Sequence, residues 1–420
     1  MSSRSPWLVP SWRNIKSLRR PCHSRGPSES RRSFVGVSEA TKLQKPKTKL
    51  PTPIYEVEGY ESSRGRDLPP IDQWRKYFPH DKETSTRISL RNPNTTDALA
   101  NALVPEGSLG KVIIESDPGP GQLTRSLLKL PRERIKKLIV LEPNNLYLQY
   151  IKPLQAIDDR VVIYEQSGYE WGVYNKLEDA GELDDVLKVP WTSGVHPQLA
   201  FITHIPTTVL GEQLIAQLFR GIPDRQWLFQ YGRVPLCFMM SSRMWKRLDA
   251  PMGGTQRCKV GVMGAATSEI TELLPYEATQ PFKDHFHPVP YAKYAPVPSK
   301  HPDSRRVGNP YQVVLTVPRE FQAIQPGHLD YWDYCLRKMF VQKATPLKAS
   351  INSLGPGATT LLKKLTDHNL PPSEQVDIRK CPNSLNVHEW SLLVKAFMEW
   401  PFAPEDLAID TVFCNTNEHR

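Results

Sequence analysis

The chain has 420 residues, with 54 Lys plus Arg against 44 Asp plus Glu for a formal net charge of +10 and a hydrophobic content of 39%. That length suits one large domain or two ordinary ones. The first fifty residues hold twelve basic and two acidic side chains, so the whole net charge lies there; the remainder is balanced at 42 against 42, which excludes a uniformly basic histone-like protein and leaves nucleic-acid binding to local patches.

No apolar stretch approaches the roughly 20 residues that span a bilayer, which argues against a membrane protein. Six cysteines (Cys22, Cys237, Cys258, Cys335, Cys381, Cys414) are scattered without a CxxC pair, against a disulfide scaffold or a zinc ribbon and in favour of a reducing compartment. Residues 1–34 are rich in Ser and Arg and poor in acid. Trp12, Ile15 and Leu18 fall on one side of a helix whose other side carries Arg13, Lys16 and Arg20. This is the amphipathic basic helix of a mitochondrial transit peptide, with a matrix-protease cut expected after Phe34, two residues beyond Arg32. Residues 35–84 read as linker and N-terminal extension.

From Lys111 the pattern alternates strand and helix: Lys111–Glu115, Leu123–Leu130, Leu138–Glu142, Asn144–Leu154 and Val161–Tyr164. This rhythm implies a parallel sheet with right-handed crossovers. The acidic, proline-bearing stretch 177–198 reads as a surface insertion. Strand and helix then resume at Leu199–Ile202, Val209–Arg220 and Val234–Met240. Beyond Pro318 the texture turns helical, with helices expected at His328–Lys343, Leu347–Leu354, Thr359–Thr366 and Val387–Trp400. The fold class expected is α/β, a Rossmann-like domain over 85–320 followed by a small helical domain over 321–420.

The first chemical signal is Glu115-Ser-Asp117-Pro-Gly119-Pro-Gly121-Gln-Leu-Thr124, which places two glycines between a strand end and a helix start, where a ligand can approach the backbone. Glu142 ends the next strand, where an acid can accept from two ribose hydroxyls. A dinucleotide or S-adenosylmethionine fits such a site; the dinucleotide is disfavoured because Thr124 stands where its third glycine would fall.

These residues resemble the E-x-G-P-G-x-G-x-L-T motif of the rRNA adenine N6-dimethyltransferases, with Glu142 matching the ribose-binding acid. Trp227-Leu-Phe-Gln-Tyr-Gly-Arg-Val234, Arg257-Cys-Lys-Val260, Trp332-Asp-Tyr, Thr345-Pro-Leu and Asn352-Ser-Leu-Gly355 bring the chain closer to the fungal mitochondrial transcription initiation factors that derive from that family. The resemblance spans about residues 85 to 365. It implies a class I methyltransferase domain followed by a helical domain. It also implies a role in the mitochondrial matrix beside a single-subunit RNA polymerase, in promoter recognition and melting. The alternative it carries is an active S-adenosylmethionine-dependent rRNA adenine N6-dimethyltransferase of the mitochondrial ribosome, acting on small-subunit rRNA.

Departures from the family pattern choose between these. The catalytic N-L-P-Y is replaced by His204-Ile205-Pro206-Thr207, which lacks both the amide that holds the target amine and the ring that stacks on the flipped base. Asp117 replaces the first motif glycine, and Ser167 stands where an acid would hold the cofactor's adenine. Both argue against methyl transfer, while Gly119, Gly121 and Glu142 keep the elements of a weak S-adenosylmethionine site.

Nucleic-acid contacts are then expected from Arg243, Trp245, Lys246 and Arg247, continued by Arg257 and Lys259, and from a second cluster at Arg337, Lys338, Lys343 and Lys348. The two clusters would face a single strand of melted promoter DNA across a cleft. Asp284-His-Phe-His287 reads as a loop, not a metal site, because no third ligand has useful spacing.

Overall fold

The computed structural model describes residues 67–79, 84, 86–289 and 308–407. The chain divides at residue 62, and everything described belongs to the unit that begins at Ser63. The expected transit peptide lies outside the described residues.

The first described elements are α1 (Trp74–Tyr77), β1 (Ser89–Leu90) and α2 (Pro93–Leu103). Asn92 starts α2 by accepting from the Asn94 N–H, and Pro93 supplies a preset φ at the first helical position. Within the stretch 35–84, read as linker and extension, residues 67–79 are packed: Trp74 and Phe78 are fully buried against Tyr147.

The alternating elements follow: β2 (Lys111–Ser116), α3 (Gln122–Lys129), β3 (Ile135–Leu141), α4 (Asn145–Ile157), β4 (Val161–Tyr164), α5 (Gly172–Asp179), β5 (Leu199–His204), α6 (Val209–Gly221) and β6 (Leu236–Ser241). Then come α7 (Ser242–Leu248), α8 (Lys259–Thr267), β7 (Ser268–Glu272), α9 (Phe282–His285), β8 (Phe286–His287) and β9 (Tyr311–Pro318). Seven strands form one sheet in the order β4-β3-β2-β5-β6-β9-β7. Five are parallel, and β9 runs antiparallel to both β6 and β7. β2 and β5 bury nearly every side chain, as strands covered by helices on both faces must. β1 pairs antiparallel with β8 outside this sheet.

Two corrections concern the sheet and its flanks. The stretch 177–198 is not wholly a surface insertion: Leu177, Leu183, Val186 and Trp191 are buried in the main apolar cluster, and the Trp191 indole N–H donates to the Arg319 and Glu320 carbonyls. The sheet also extends beyond β6 through β9 and β7, two strands that sequence periodicity did not single out.

The last helices among the described residues are α10 (Leu329–Met339), α11 (Leu347–Ser350), α12 (Thr360–Leu365) and α13 (Val387–Met398), close to the four helical stretches expected. Asn386 and Glu389 close a capping box at the start of α13. Trp332, Leu336, Trp390 and Phe397 belong to the same apolar cluster as Phe201, Leu218 and Phe238 of the sheet and its helices. Among the described residues no helix is long and apolar enough to cross a membrane.

Candidate functional site: a crevice at the carboxyl ends of β2, β3 and β5

The strand order reverses between β2 and β5, since the chain winds one way through β3 and β4 and then returns to the other side of β2. A crevice at the carboxyl ends of the strands is the ligand position of such a sheet. Asp117 follows β2, Glu142 follows β3 and His204 ends β5, so the sheet brings together three residues that lie far apart in sequence.

After β2 the backbone turns through positive φ at Asp117 (55°), Gly119 (71°) and Gly121 (85°). Glycine adopts this region freely, and aspartate is among the few other residues that enter it readily. The Asp117 carboxylate is held by Ser116 Oγ at 2.7 Å, by Ser167 Oγ at 3.0 Å and by the Gly168 N–H at 3.2 Å. Asp117 and Ser167, the two departures in the cofactor motif, are thus bonded to each other. Gly119 admits a close approach, but by protein: a Cβ there would lie 2.0 Å from Ser89 Oγ.

Glu142 is fully buried. Its oxygens accept from Arg87 Nη1 and Nη2, both at 2.5 Å, from the Gly119 N–H at 3.0 Å and from the Asn144 N–H at 2.9 Å. All four partners are donors, so the group stands as a carboxylate. Arg87 Nη2 also lies 3.8 Å from Asp117 Oδ1, and its guanidinium covers the Tyr147 ring. Burial disfavours the Arg87 charge, yet Glu142 and then Asp117 more than restore it, and the pKa is raised above the ordinary arginine range. Burial pushes both acids up, and Arg87 opposes this. Arg87 was missed by sequence reasoning. The signal available was indirect: two acids at adjacent strand ends require a cation, but nothing in the sequence says which of 54 it is.

The segment carrying Arg87 is fastened along its length. The Thr207 N–H donates to the Thr86 carbonyl at 3.3 Å, and the Arg91 N–H donates to His285 O at 2.9 Å. His204 Nδ1 lies 3.1 Å from the Ile88 carbonyl, an acceptor only, so Nδ1 carries the proton. Nε2 then has no donor partner, and burial pushes this imidazole down to about 4. His204 and Thr207, which stand where the catalytic motif would be, therefore bind the chain's own strap over residues 86–91. Tyr169 donates its hydroxyl to the His204 carbonyl. Beside the strap, a small hollow is lined by Ile205, Pro206, Thr207, Thr208, Glu212 and Arg243 among others.

The basic clusters are partly committed to the fold. Arg247 pairs with Glu212 at 2.5 Å, and Trp245 is half-buried against the main apolar cluster. Lys246 is exposed and Arg243 half-buried. Arg257 is buried and donates to the Ala250 and Leu385 carbonyls, so it joins two loops instead of facing solvent. Lys259 pairs with Asp333 at 2.5 Å. In the second cluster, Arg337 donates to Leu407 O and Lys343 to Thr255 O, while Lys338 is exposed with its ammonium over the Tyr334 ring. Lys348 is exposed. His285 and His287 bond to Thr95 Oγ1 and the Phe78 carbonyl.

Sheet order, switch-point crevice and glycine turn together define a Rossmann-like methyltransferase scaffold. A family model described as ribosomal RNA adenine dimethylase matches residues 86–391. The chain belongs to that family. It is 29% identical over 267 residues to Mitochondrial transcription factor 1 of Saccharomyces cerevisiae, covering 61% of this chain and 71% of that protein. It is also 25% identical over 357 residues to the mitochondrial Dimethyladenosine transferase 1 of Vermamoeba vermiformis, covering 77% of this chain and 92% of that one. Among solved structures, a dimethyladenosine transferase from Plasmodium falciparum aligns with a TM-score of 0.47 at 15% identity, over 74% of this chain and 97% of that chain.

Proposed function

We propose that this chain is a mitochondrial transcription initiation factor that works beside a single-subunit RNA polymerase in the matrix, on a dimethyltransferase scaffold that no longer transfers methyl groups. The observation that carries this reading is the state of the catalytic position. His204 is tied to Ile88, and Thr207 offers no face on which a flipped adenine could stack. The relatives named mitochondrial transcription factor support it from a separate direction. Its work is binding: it holds melted promoter DNA while the polymerase starts.

The solvent side of α7, with exposed Lys246 and half-buried Arg243 and Trp245, is the proposed single-strand surface, together with exposed Lys338. Arg247, Arg337 and Lys343, bonded within the fold, shape that surface more than they bind. Run-off transcription from a linear mitochondrial promoter with the matching polymerase should depend on this protein. Equal product without it would refute the reading.

The second reading, an active rRNA adenine dimethyltransferase, is favoured by one observation: the Vermamoeba relative named mitochondrial Dimethyladenosine transferase 1 aligns over more of the chain than the yeast factor does. Transfer of labelled methyl from S-adenosylmethionine to small-subunit rRNA would establish it.

A further inference from the structure

The fold family implies S-adenosylmethionine, and the crevice does not fit it. A ribose presents two hydroxyl donors to the acid at the end of β3. Here both Glu142 oxygens already receive the two-pronged donor of Arg87, together with the Gly119 and Asn144 N–H groups. Gly119 is engaged by the chain itself: Ser89 Oγ packs where its Cβ would point, and its N–H is already given to Glu142. The first glycine position carries the Asp117 carboxylate, which faces Arg87 and would repel the carboxylate of the cofactor's methionine moiety.

We infer that Arg87 is a built-in ligand: its guanidinium takes the place of a nucleoside ribose on Glu142, balances Asp117, and closes the crevice to S-adenosylmethionine. The three groups form one unit of charge +1, −1 and −1, and the strap is locked by His204, Thr207 and the β1–β8 pair. Displacing Arg87 would leave two buried carboxylates without a cation, a state the fold resists strongly. The substitutions at Asp117 and His204 are then parts of one arrangement, since one receives the guanidinium and the other holds its backbone. This inference concerns the cofactor crevice and does not depend on the transcription reading; a failed run-off assay leaves it intact.

The test is calorimetric titration of the intact chain with S-adenosylmethionine and S-adenosylhomocysteine, alongside thermal unfolding. Wild-type protein should show no binding and no ligand-induced rise in Tm. The paired substitution Arg87→Gly with Asp117→Gly removes the cation together with one of its acids and restores glycine at a positive-φ position. It should bind S-adenosylhomocysteine on the order of 100-fold or more tighter than the weakest affinity the titration resolves for wild type, since two hydrogen bonds to a charged group change hands, and its Tm should rise with added ligand. Should that pair fail to fold, Arg87→Lys keeps the charge balance but not the two-pronged bond, and should gain weaker, measurable binding. Micromolar binding by the wild-type chain would overturn the inference, as would a folded variant of either kind that gains nothing.

Discussion

Glu115, the last but one residue of β2, accepts from Thr124 Oγ1 at 2.7 Å through one oxygen, while its other oxygen has no partner, and burial raises its pKa to about 8. Between pH 4.5 and 8 the folded chain keeps a proton there that the unfolded chain releases. This group therefore lowers stability as pH rises through that window, by about 1.4 kcal/mol per unit crossed. Glu115→Gln should flatten the alkaline side of a stability profile measured by urea unfolding, and an unchanged slope would show that another group titrates there. His204 acts in the opposite sense. Its pKa is pushed down to about 4, so between pH 6.5 and 4 the unfolded chain binds a proton that the folded chain refuses, and stability falls on acidification. His204→Asn, which keeps a donor for Ile88, should remove that acid-side slope. Of this site, Glu142 and the glycines were legible from strand ends and turn composition, and Asp117 from its departure from the resembled family motif. Arg87 was not, because its bond to Glu142 joins residues 55 apart, and local pattern carries no record of such a contact.

The element that separates binding from folding is α7. If it touches single-stranded DNA, Arg243→Ala with Lys246→Ala should weaken binding to melted promoter DNA and reduce its salt slope by about 1.4, about 0.7 per lost phosphate contact. Unchanged slopes with an unchanged Tm would move the interface elsewhere. Trp245→Ala tests a different contribution, since a half-buried ring shares its contacts between core and solvent. A loss of roughly 1 to 3 kcal/mol of binding without a lowered Tm would mark it as a stacking residue. At this scale the legible elements were those with clear periodicity, α3, α4, α6, α10 and α13, of which α4 and α13 also carry side-chain caps at Asn144 and Asn386. α8 escaped because Val260, Val262, Met263 and Ala266 make it buried nearly all round, which leaves no polar face to set a period. β7 escaped because it is short and mostly exposed at its outer end. The stretch after α5 misled because its charges alternate with the buried Leu183, Val186 and Trp191, so composition outweighed position.

Across the whole molecule, the helices after Pro318 share an apolar cluster with one face of the sheet. A chain ending at residue 320 should therefore lose solubility, and the intact chain should unfold in one calorimetric transition through the described unit. Trp390→Ala should cost roughly 3 to 5 kcal/mol and lower the Tm of that single transition, not split it in two. Two resolved transitions would show that the sheet and the terminal helices are held separately.

The salt link from Arg87 to Glu142 also changes what this fold owes to its surroundings. A protein that recruits a diffusible nucleoside is stabilised in proportion to how much is available, by about 2.7 kcal/mol when the ligand stands at a hundred times its Kd, and slackens when the supply runs low. A guanidinium carried on the same backbone is never dilute. If Arg87 keeps that place, as inferred above, the crevice needs no diffusible nucleoside to be ordered, and the molecule's stability would not track the supply of a methyl donor.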